Sequence, residues 1–270
     1  NPSAWHRHKI RRGVGELKFS ANLGFLWTER TLPAAIIAAA EAGFDAVECH
    51  WPYDVSAPSV RSALRETGLP MLGLNTRRGG RGENGLSALP GRVGDARAAI
   101  DEALAYAQET QTQAVHVMAG FAEGAKARDT FLETLRYACE QAGERMILIE
   151  PLNMFDAPGY FLQTTDQAAA IIDDVGAPNL KLMFDCYHVQ RTEGTVIPRL
   201  EALLPMIGHV QVASAPDRGP PDHGDLEYAH VWKALNRLGW ERPIGAEYKP
   251  VGPTSETLDW LADLRAAASR

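Results

Sequence analysis

Five polar residues stand late in short apolar runs of this chain. They are Glu48 in Ala46-Val47-Glu48-Cys49-His50-Trp51, Glu150 in Ile147-Leu148-Ile149-Glu150-Pro151, and Asp185 in Leu182-Met183-Phe184-Asp185-Cys186. Gln211 lies in Gly208-His209-Val210-Gln211-Val212-Ala213, and Glu247 in Ile244-Gly245-Ala246-Glu247-Tyr248. A bare carboxylate in such a run carries a heavy desolvation cost unless it is paired or bound to a cation. Glu150 precedes Asp185 by 35 residues, Asp185 precedes Gln211 by 26, and Gln211 precedes Glu247 by 36. Each interval is close to one strand-plus-helix repeat. Equivalent positions on neighbouring strands stand about 4.8 Å apart, so four oxygen donors can meet at one point. Three carboxylates and one amide oxygen form a hard site that suits Mg²⁺ or Mn²⁺. The competing account of the same residues is a buried ion-pair network around Arg or Lys.

Further side chains could serve such a centre. His188 follows Asp185 by three residues. It could ligate the metal or donate to a substrate oxygen, and we favour the donor role. Arg218 and Lys249 are candidates for holding an anionic or oxyanionic substrate. His50, Trp51 and Tyr53 could wall the pocket, whereas His116, inside an apolar run, reads as a core or supporting histidine.

The elements that must position these residues alternate along the chain. Strands are predicted at 18–25, 46–51, 71–75, 114–119, 146–152, 180–185, 208–213 and 244–248. Helices are predicted at 32–42, 59–67, 93–110, 127–142, 166–175, 197–203, 228–238 and 256–268. Alternation of this kind implies parallel strands joined by right-handed crossovers. Gly43, Gly68, Gly143 and Gly239 fall just past helical runs, where a C′ glycine belongs. Thr165-Asp166 and Thr254-Ser255 fall where N-caps belong. No Gly-x-Gly-x-x-Gly turn follows the first strand, which argues against a doubly wound sheet. The expected architecture is an α/β (β/α)₈ TIM barrel, a single catalytic domain over 18–270 behind a basic N-terminal extension over 1–17. In a barrel, the glycine- and proline-rich loops 75–91 and 214–225 lie on the catalytic face and read as lids.

Composition bounds the rest. The 270 residues carry a formal net charge of −7, which argues against general nucleic-acid binding. The basic stretch 6–12 reads as a solvated tail. No apolar run reaches the roughly 20 residues of a membrane span, and no apolar stretch of the secretory kind follows the basic start. Three cysteines without metal or disulfide spacing suit a reducing, cytoplasmic setting. Cys186, next to Asp185 in a strand pattern, is expected to face outward against a helix.

Several segments together resemble the hydroxypyruvate isomerase family of xylose-isomerase-like barrels. They are Phe19-Ser20-Ala21-Asn22-Leu23, Ile149-Glu150-Pro151-Leu152-Asn153, Phe184-Asp185-Cys186-Tyr187-His188-Val189-Gln190-Arg191, Gly208-His209-Val210-Gln211-Val212-Ala213 and Glu247-Tyr248-Lys249-Pro250. Leu89-Pro90-Gly91-Arg92 and Ile172-Asp173-Asp174-Val175-Gly176 also match, and the likeness runs from about Lys18 to the C-terminus. The resemblance implies that Glu150, Asp185, Gln211 and Glu247 bind the metal and that the two glutamates form the acid/base pair. It places His188, Arg218 and Asn75 among substrate contacts. The implied reaction interconverts hydroxypyruvate and tartronate semialdehyde, or a longer 2-oxo acid and its isomer. Two loops depart from the pattern. Thr76-Arg77-Arg78-Gly79-Gly80-Arg81 replaces a Leu-Pro-x-Gly-Asp-Trp loop, and Gly219-Pro220-Pro221-Asp222-His223-Gly224-Asp225 replaces x-Glu-Pro-Gly-Thr-Gly-Glu. Both fall on expected substrate loops, while the expected metal positions are intact.

The mechanism so implied is metal-assisted proton transfer through an enediolate, with Glu150 and Glu247 on either side. A ketose 3-epimerase or a keto-polyol dehydratase could use the same parts. A DNA-repair endonuclease would need a histidine-rich zinc cluster and a basic groove. A non-catalytic sugar-acid binder would not need both glutamates. The expected partner is a small anionic hydroxy-carbonyl substrate, with no nucleic acid and no membrane. Homo-oligomerisation is expected by analogy with barrels of this family.

Overall fold

The computed structural model describes residues 17–269. The basic stretch 6–12 and nearly all of the 1–17 extension lie outside the described residues. Eight parallel strands run in the order β2-β1-β8-β7-β6-β5-β4-β3. They are β1 (Phe19–Asn22), β2 (Ala46–Glu48), β3 (Gly73–Asn75), β4 (Ala114–His116), β5 (Met146–Ile149), β6 (Leu180–Asp185), β7 (Ile207–Val212) and β8 (Ile244–Ala246). The remaining seam, β2 to β3, is joined by a parallel bridge between Val47 and Met71 and by backbone bonds such as Leu72 N–H to Val47 O at 2.8 Å. The sheet thus curls into the expected TIM barrel.

Helices α1 (Leu32–Glu41), α2 (Ala57–Thr67), α3 (Val93–Thr110), α4 (Gly124–Ala142) and α5 (Thr165–Val175) cover the outside. They are followed by α6 (Cys186–Thr192), α7 (Val196–Leu203), α8 (Tyr228–Arg237) and α9 (Asp259–Ala268). Strand alternation sorts the core into two parts. Leu148 and Met183 pack with Ala114 and Met146 in a small cluster, while Ile147, Ile149, Leu182 and Phe184 belong to the large cluster under the helices. The same alternation turns Glu150, two residues beyond Leu148, and Asp185, two beyond Met183, to the inside.

Four details differ from the sequence reading. Helix α6 starts at the residue after β6, too short and too close to the strand for periodicity to reveal. Cys186 is therefore a helix residue and not a strand residue, and it is buried in the large cluster under the helices. Thr164, not the Thr165-Asp166 pair, caps α5, its hydroxyl accepting from Gln167 N–H at 3.1 Å. Thr254 opens a short 3₁₀ turn, and α9 begins only at Asp259, because the Thr254 hydroxyl is taken by Trp27 N–H at 2.8 Å.

Two strand glycines admit neighbours that a methyl group would displace. At Gly208 the β6–β7 register slips, so that Met183 faces His209 and Asp185 faces Gln211. A Cβ on Gly208 would lie 2.5 Å from Met146 Sδ. A Cβ on Gly245 would lie 2.5 Å from Glu48 Oε1 and 2.8 Å from His209 Nε2.

Candidate active site

Alternation and register bring the inward-facing polar residues to the C-terminal mouth of the barrel in two layers. The lower layer centres on Glu48, which is 3% exposed and therefore needs partners. Its carboxylate receives Gln211 Nε2 at 2.7 Å and Asn22 Nδ2 at 3.1 Å, and His209 Nε2 stands 2.9 Å away. Burial pushes this carboxyl up, but the neighbouring His209 and the hydrogen bonds hold it below the usual range. Asn22 Nδ2 and Gln211 Nε2 also reach Glu247 Oε2, at 2.8 and 3.0 Å. The Gln211 amide nitrogen is therefore shared by two carboxylates. Its oxygen is left buried with no hydrogen-bond partner.

The upper layer holds Glu150, Asp185, His188, Arg218 and Glu247. One potential ligand atom from each of Glu150, Asp185 and His188 lies within 4.8 Å of the others. Asp185 caps α6 with Oδ1, which accepts from Tyr187 N–H at 2.9 Å, while Oδ2 has no hydrogen-bond partner. Glu150 Oε2 is likewise buried and unpartnered. Three buried oxygens, from β6, from β7 and from the residue following β5, thus lack donors. Such a set is rare unless an ion or water completes it, and its chemistry suits a hard divalent cation.

The electrostatics agree with that fit. Burial, followed by the charges of Glu247 and Asp185, drives the Glu150 carboxyl far above the usual carboxylate range. Burial and the Glu247 charge raise Asp185 as well. Burial would also raise Glu247, but the hydrogen bond from His50 (3.1 Å) and the charges of His50 and Arg218 reverse the shift. Two glutamates facing one cavity are thereby pushed in opposite directions, the arrangement that separates an acid from a base.

His188 is buried, and burial followed by the Arg218 charge lowers its ring to about 3, so it is neutral. Its Nδ1 accepts the backbone N–H of Asn153 at 3.1 Å. The ring proton then sits on Nε2, which stands 3.7 Å from Asp185 Oδ2. With that tautomer His188 turns an N–H toward the cavity, where Arg218 Nη2 also stands 3.5 Å from Nε2.

Arg218 lies at φ 57°, in the left-handed region that few non-glycine residues adopt. Its guanidinium is sandwiched between the rings of Phe25 and Tyr187, at 4.8 and 4.7 Å. It donates to Glu247 Oε1 at 2.9 Å and approaches Asp156 at 3.6 Å and Asp185 at 3.9 Å. Asn75 Oδ1 pairs with His116 Nδ1 at 3.1 Å, and both residues line the cavity. Burial lowers the His116 ring to about 4, in keeping with a supporting neutral histidine. Lys249 is at the exposed rim, with Nζ 5.2 Å from the Phe25 ring centre.

The cavity above these groups encloses about 220 Å³. Of the expected wall residues, His50 and Trp51 line it. Tyr53 stands behind, its hydroxyl donating to the Asn75 carbonyl. Loop 75–91 is packed against the segment that follows β4. Gly85 bridges Ala119, and Ala88 N–H bonds to the Ala119 carbonyl at 2.8 Å.

Sequence reasoning noticed Glu48 but left it outside the centre, although its position at a strand end was the same signal that marked the others. The hydrogen bonds of His50, Asn153 and His209 to Glu247, His188 and Glu48 carried no local signal.

Comparison with known proteins agrees with the architecture. The family description "Xylose isomerase-like TIM barrel" matches residues 36–264. A 2-oxo-tetronate isomerase from Cupriavidus necator is 42% identical over 252 residues, covering 90% of this chain and 97% of the relative. The hydroxypyruvate isomerase of Escherichia coli is 34% identical, covering 92% of this chain and 100% of the relative. A solved structure from Brucella melitensis, described as an AP endonuclease of family 2, superposes with a TM-score of 0.88 at 34% identity, covering 92% and 98% of the two chains. The alternating strands, the barrel they close and these full-length relatives together establish that the chain belongs to the hydroxypyruvate isomerase family of xylose isomerase-like barrels.

Proposed function

We propose that this chain is a divalent-metal-dependent isomerase of a small hydroxy-keto acid, such as hydroxypyruvate or a 2-oxo-tetronate. The observation that carries the reading is the trio of unpartnered buried oxygens, Glu150 Oε2, Asp185 Oδ2 and Gln211 Oε1, beside Glu247. Glu150, Asp185, Gln211 and Glu247 would hold Mg²⁺ or Mn²⁺. When bound, that ion supplies the positive charge that acidifies the C–H beside a carbonyl and relieves the carboxylates' mutual repulsion.

The chain's own residues carry the proton. Glu247, kept ionised by His50 and Arg218, suits removal of the proton from the hydroxyl-bearing carbon. The electron pair left behind spreads over the two carbons and their oxygens as an enediolate. Glu150, whose carboxyl favours its proton, suits its delivery to the neighbouring carbon, while the hydroxyl proton passes from the first oxygen to the second, leaving a carbonyl on one carbon and a hydroxyl on the other. The reverse reaction exchanges the two roles. The Nε2–H of His188 is placed to donate to the substrate oxygen on which charge develops. A ketose 3-epimerase would use the same groups and return the proton to the same carbon on its other face.

Turnover of hydroxypyruvate, 2-oxo-tetronates and free ketoses should be compared after EDTA treatment and after addition of Mn²⁺ or Mg²⁺. Acid turnover that EDTA abolishes and metal restores is the expected result. Full activity in EDTA would refute metal dependence, and epimerisation of ketoses in preference to the acids would favour the second reading. The Brucella structure's description raises abasic DNA as a substrate. The formal net charge of −7 and the carboxylate-rich cavity speak against it, and a gel shift with abasic DNA checks the point. Three free cysteines, all buried, suit a reducing compartment such as the cytoplasm. Among the described residues no helix is long and apolar enough to cross a membrane.

A further inference from the structure

Loop 75–91 carries three arginines whose surroundings differ. The guanidinium of Arg77 is bound through two nitrogens by Glu102, at 2.7 and 3.2 Å, so its charge is spent on α3. Arg81 is exposed. The guanidinium carbon of Arg78 stands over the indole of Trp51, 3.9 Å from the ring centre, and the residue lines the same cavity as Glu150 and Glu247. Among the described residues no carboxylate comes within ion-pair distance of Arg78, and no hydrogen bond occupies its guanidinium.

The mount beneath Arg78 is fixed. The Trp51 indole N–H donates to the Thr76 carbonyl at 2.9 Å, which ties the ring to the loop that presents the arginine. The Arg78 carbonyl accepts Gly85 N–H at 2.7 Å, and Gly80 N–H is held by Glu83 at 2.8 Å. A second cation, Lys249, lines the same cavity on the Phe25 ring and also has no carboxylate partner among the described residues. Arg218 is unlike both, because its charge is already engaged by Glu247, Asp185 and Asp156. The cavity therefore has an acidic floor and a rim with two unspent cations. A planar guanidinium with free N–H groups, stacked on an aromatic ring, is suited to a carboxylate.

We infer that Arg78, mounted on Trp51 and assisted by Lys249, forms a carboxylate subsite that selects acids over uncharged ketoses of the same length. This deepens the isomerase reading and rests on it. The carboxylate of the substrate is held at the rim, while its hydroxyl and carbonyl carbons reach down between Glu150 and Glu247. Arg218 then serves as the fixed countercharge of the floor.

Arg78→Met keeps an apolar stem over Trp51 and removes the charge. Two readouts test the subsite on the full chain. The first is calorimetric binding of tartronate, a carboxylate-bearing probe. The second is the KM for hydroxypyruvate against that for dihydroxyacetone, which has a hydroxymethyl group in place of the carboxylate. Arg78→Met should weaken tartronate binding and raise the hydroxypyruvate KM by roughly 10- to 100-fold, the weight of a charge-assisted contact. The effect should fall on KM more than kcat, leave dihydroxyacetone unaffected, shrink with added salt and be partly rescued by Arg78→Lys. Unchanged tartronate affinity in Arg78→Met, an equal loss for dihydroxyacetone, or no tartronate binding by the unaltered protein would overturn the inference. If the unaltered protein isomerises hydroxypyruvate and Arg78→Met does not change its KM, the subsite fails while the isomerase reading stands. If tartronate binds through Arg78 but no acid turns over, the subsite stands and the isomerase reading fails.

Discussion

The Asn153 side-chain amide stands 2.8 Å from His188 Nδ1, the nitrogen that also accepts the Asn153 backbone N–H. The amide is held that way round because Asn153 Oδ1 accepts from the N–H groups of Phe155 and Asp156, at 3.1 and 3.0 Å. One loop residue thereby decides which nitrogen of the histidine faces the cavity. His188→Ala should lower turnover about 10²- to 10³-fold, the usual consequence of losing a donor to a developing oxyanion. Its Mn²⁺ stoichiometry should stay unchanged. Loss of metal in step with activity, measured by elemental analysis, would show that the ring is a ligand after all.

The two glutamates should separate in stability although the proposed mechanism uses both. Glu150 Oε2 has no partner and its carboxyl favours the protonated form. A group whose folded pKa is raised opposes folding once pH exceeds its unfolded value. Glu150→Gln removes that burden, so the metal-free variant should melt at the same temperature as the unaltered protein or higher. Glu247 instead accepts from Arg218, Asn22 and Gln211. Glu247→Gln turns an amide N–H₂ toward donors and should cost about 1–3 kcal/mol, or roughly 2–10 °C in melting temperature. Equal melting temperatures for the two metal-free variants would contradict this assignment.

Glu48 should act on the metal centre through Gln211 without touching the substrate. By holding Gln211 Nε2 it turns the amide oxygen away as a free acceptor. Glu48→Leu should weaken Mn²⁺ binding about 10- to 100-fold, as loss of a supporting partner does. Glu48→Gln, which can still accept from Gln211, should recover part of it. Gly245→Ala should act in the same direction, because its methyl would stand 2.5 Å from Glu48 Oε1. Calorimetry with Mn²⁺ checks all three, and wild-type affinity in a folded Glu48→Leu protein would remove Glu48 from this role.

The loop that carries Arg218 should respond to pH through His223. Hydrogen bonds to Asp217 and Asp222, both 2.6 Å long, raise the histidine, and Asp217 is held down at about 2 despite partial burial. The stabilisation from charged His223 is full below its unfolded value of about 6.5 and is lost as pH rises through the higher folded value. That from Asp217 is lost only as pH falls toward about 2. Both side chains are about half exposed, at 48% and 53%, so the effect is modest. Exchange of the Arg218 amide, which bonds to Ser214 O at 2.9 Å, should be slower at pH 6 than at pH 8.5 after correction for intrinsic rates. An NMR titration that puts His223 at or below 6.5 would rule the clamp out.

The order and type of the eight strands were legible because each is a short apolar run, and the helices between them are long enough to show their period. Inward-facing Glu150, Asp185, Gln211 and Glu247 could be found because a polar residue at a strand end breaks that run. These signals are local: hydropathy and side-chain alternation act within a few residues. Three features were decided only by the closed barrel. Glu247 meets Asn22, 225 positions away in the chain, because β8 closes on β1. Gln211 has a fixed amide orientation because Glu48 reaches it across the lumen. Arg78 is left unpaired while Arg77 is neutralised, although the two are adjacent in sequence, because only one faces Glu102 on α3. Which donor a buried acceptor meets depends on the neighbours that closure supplies, and no run of adjacent residues records them.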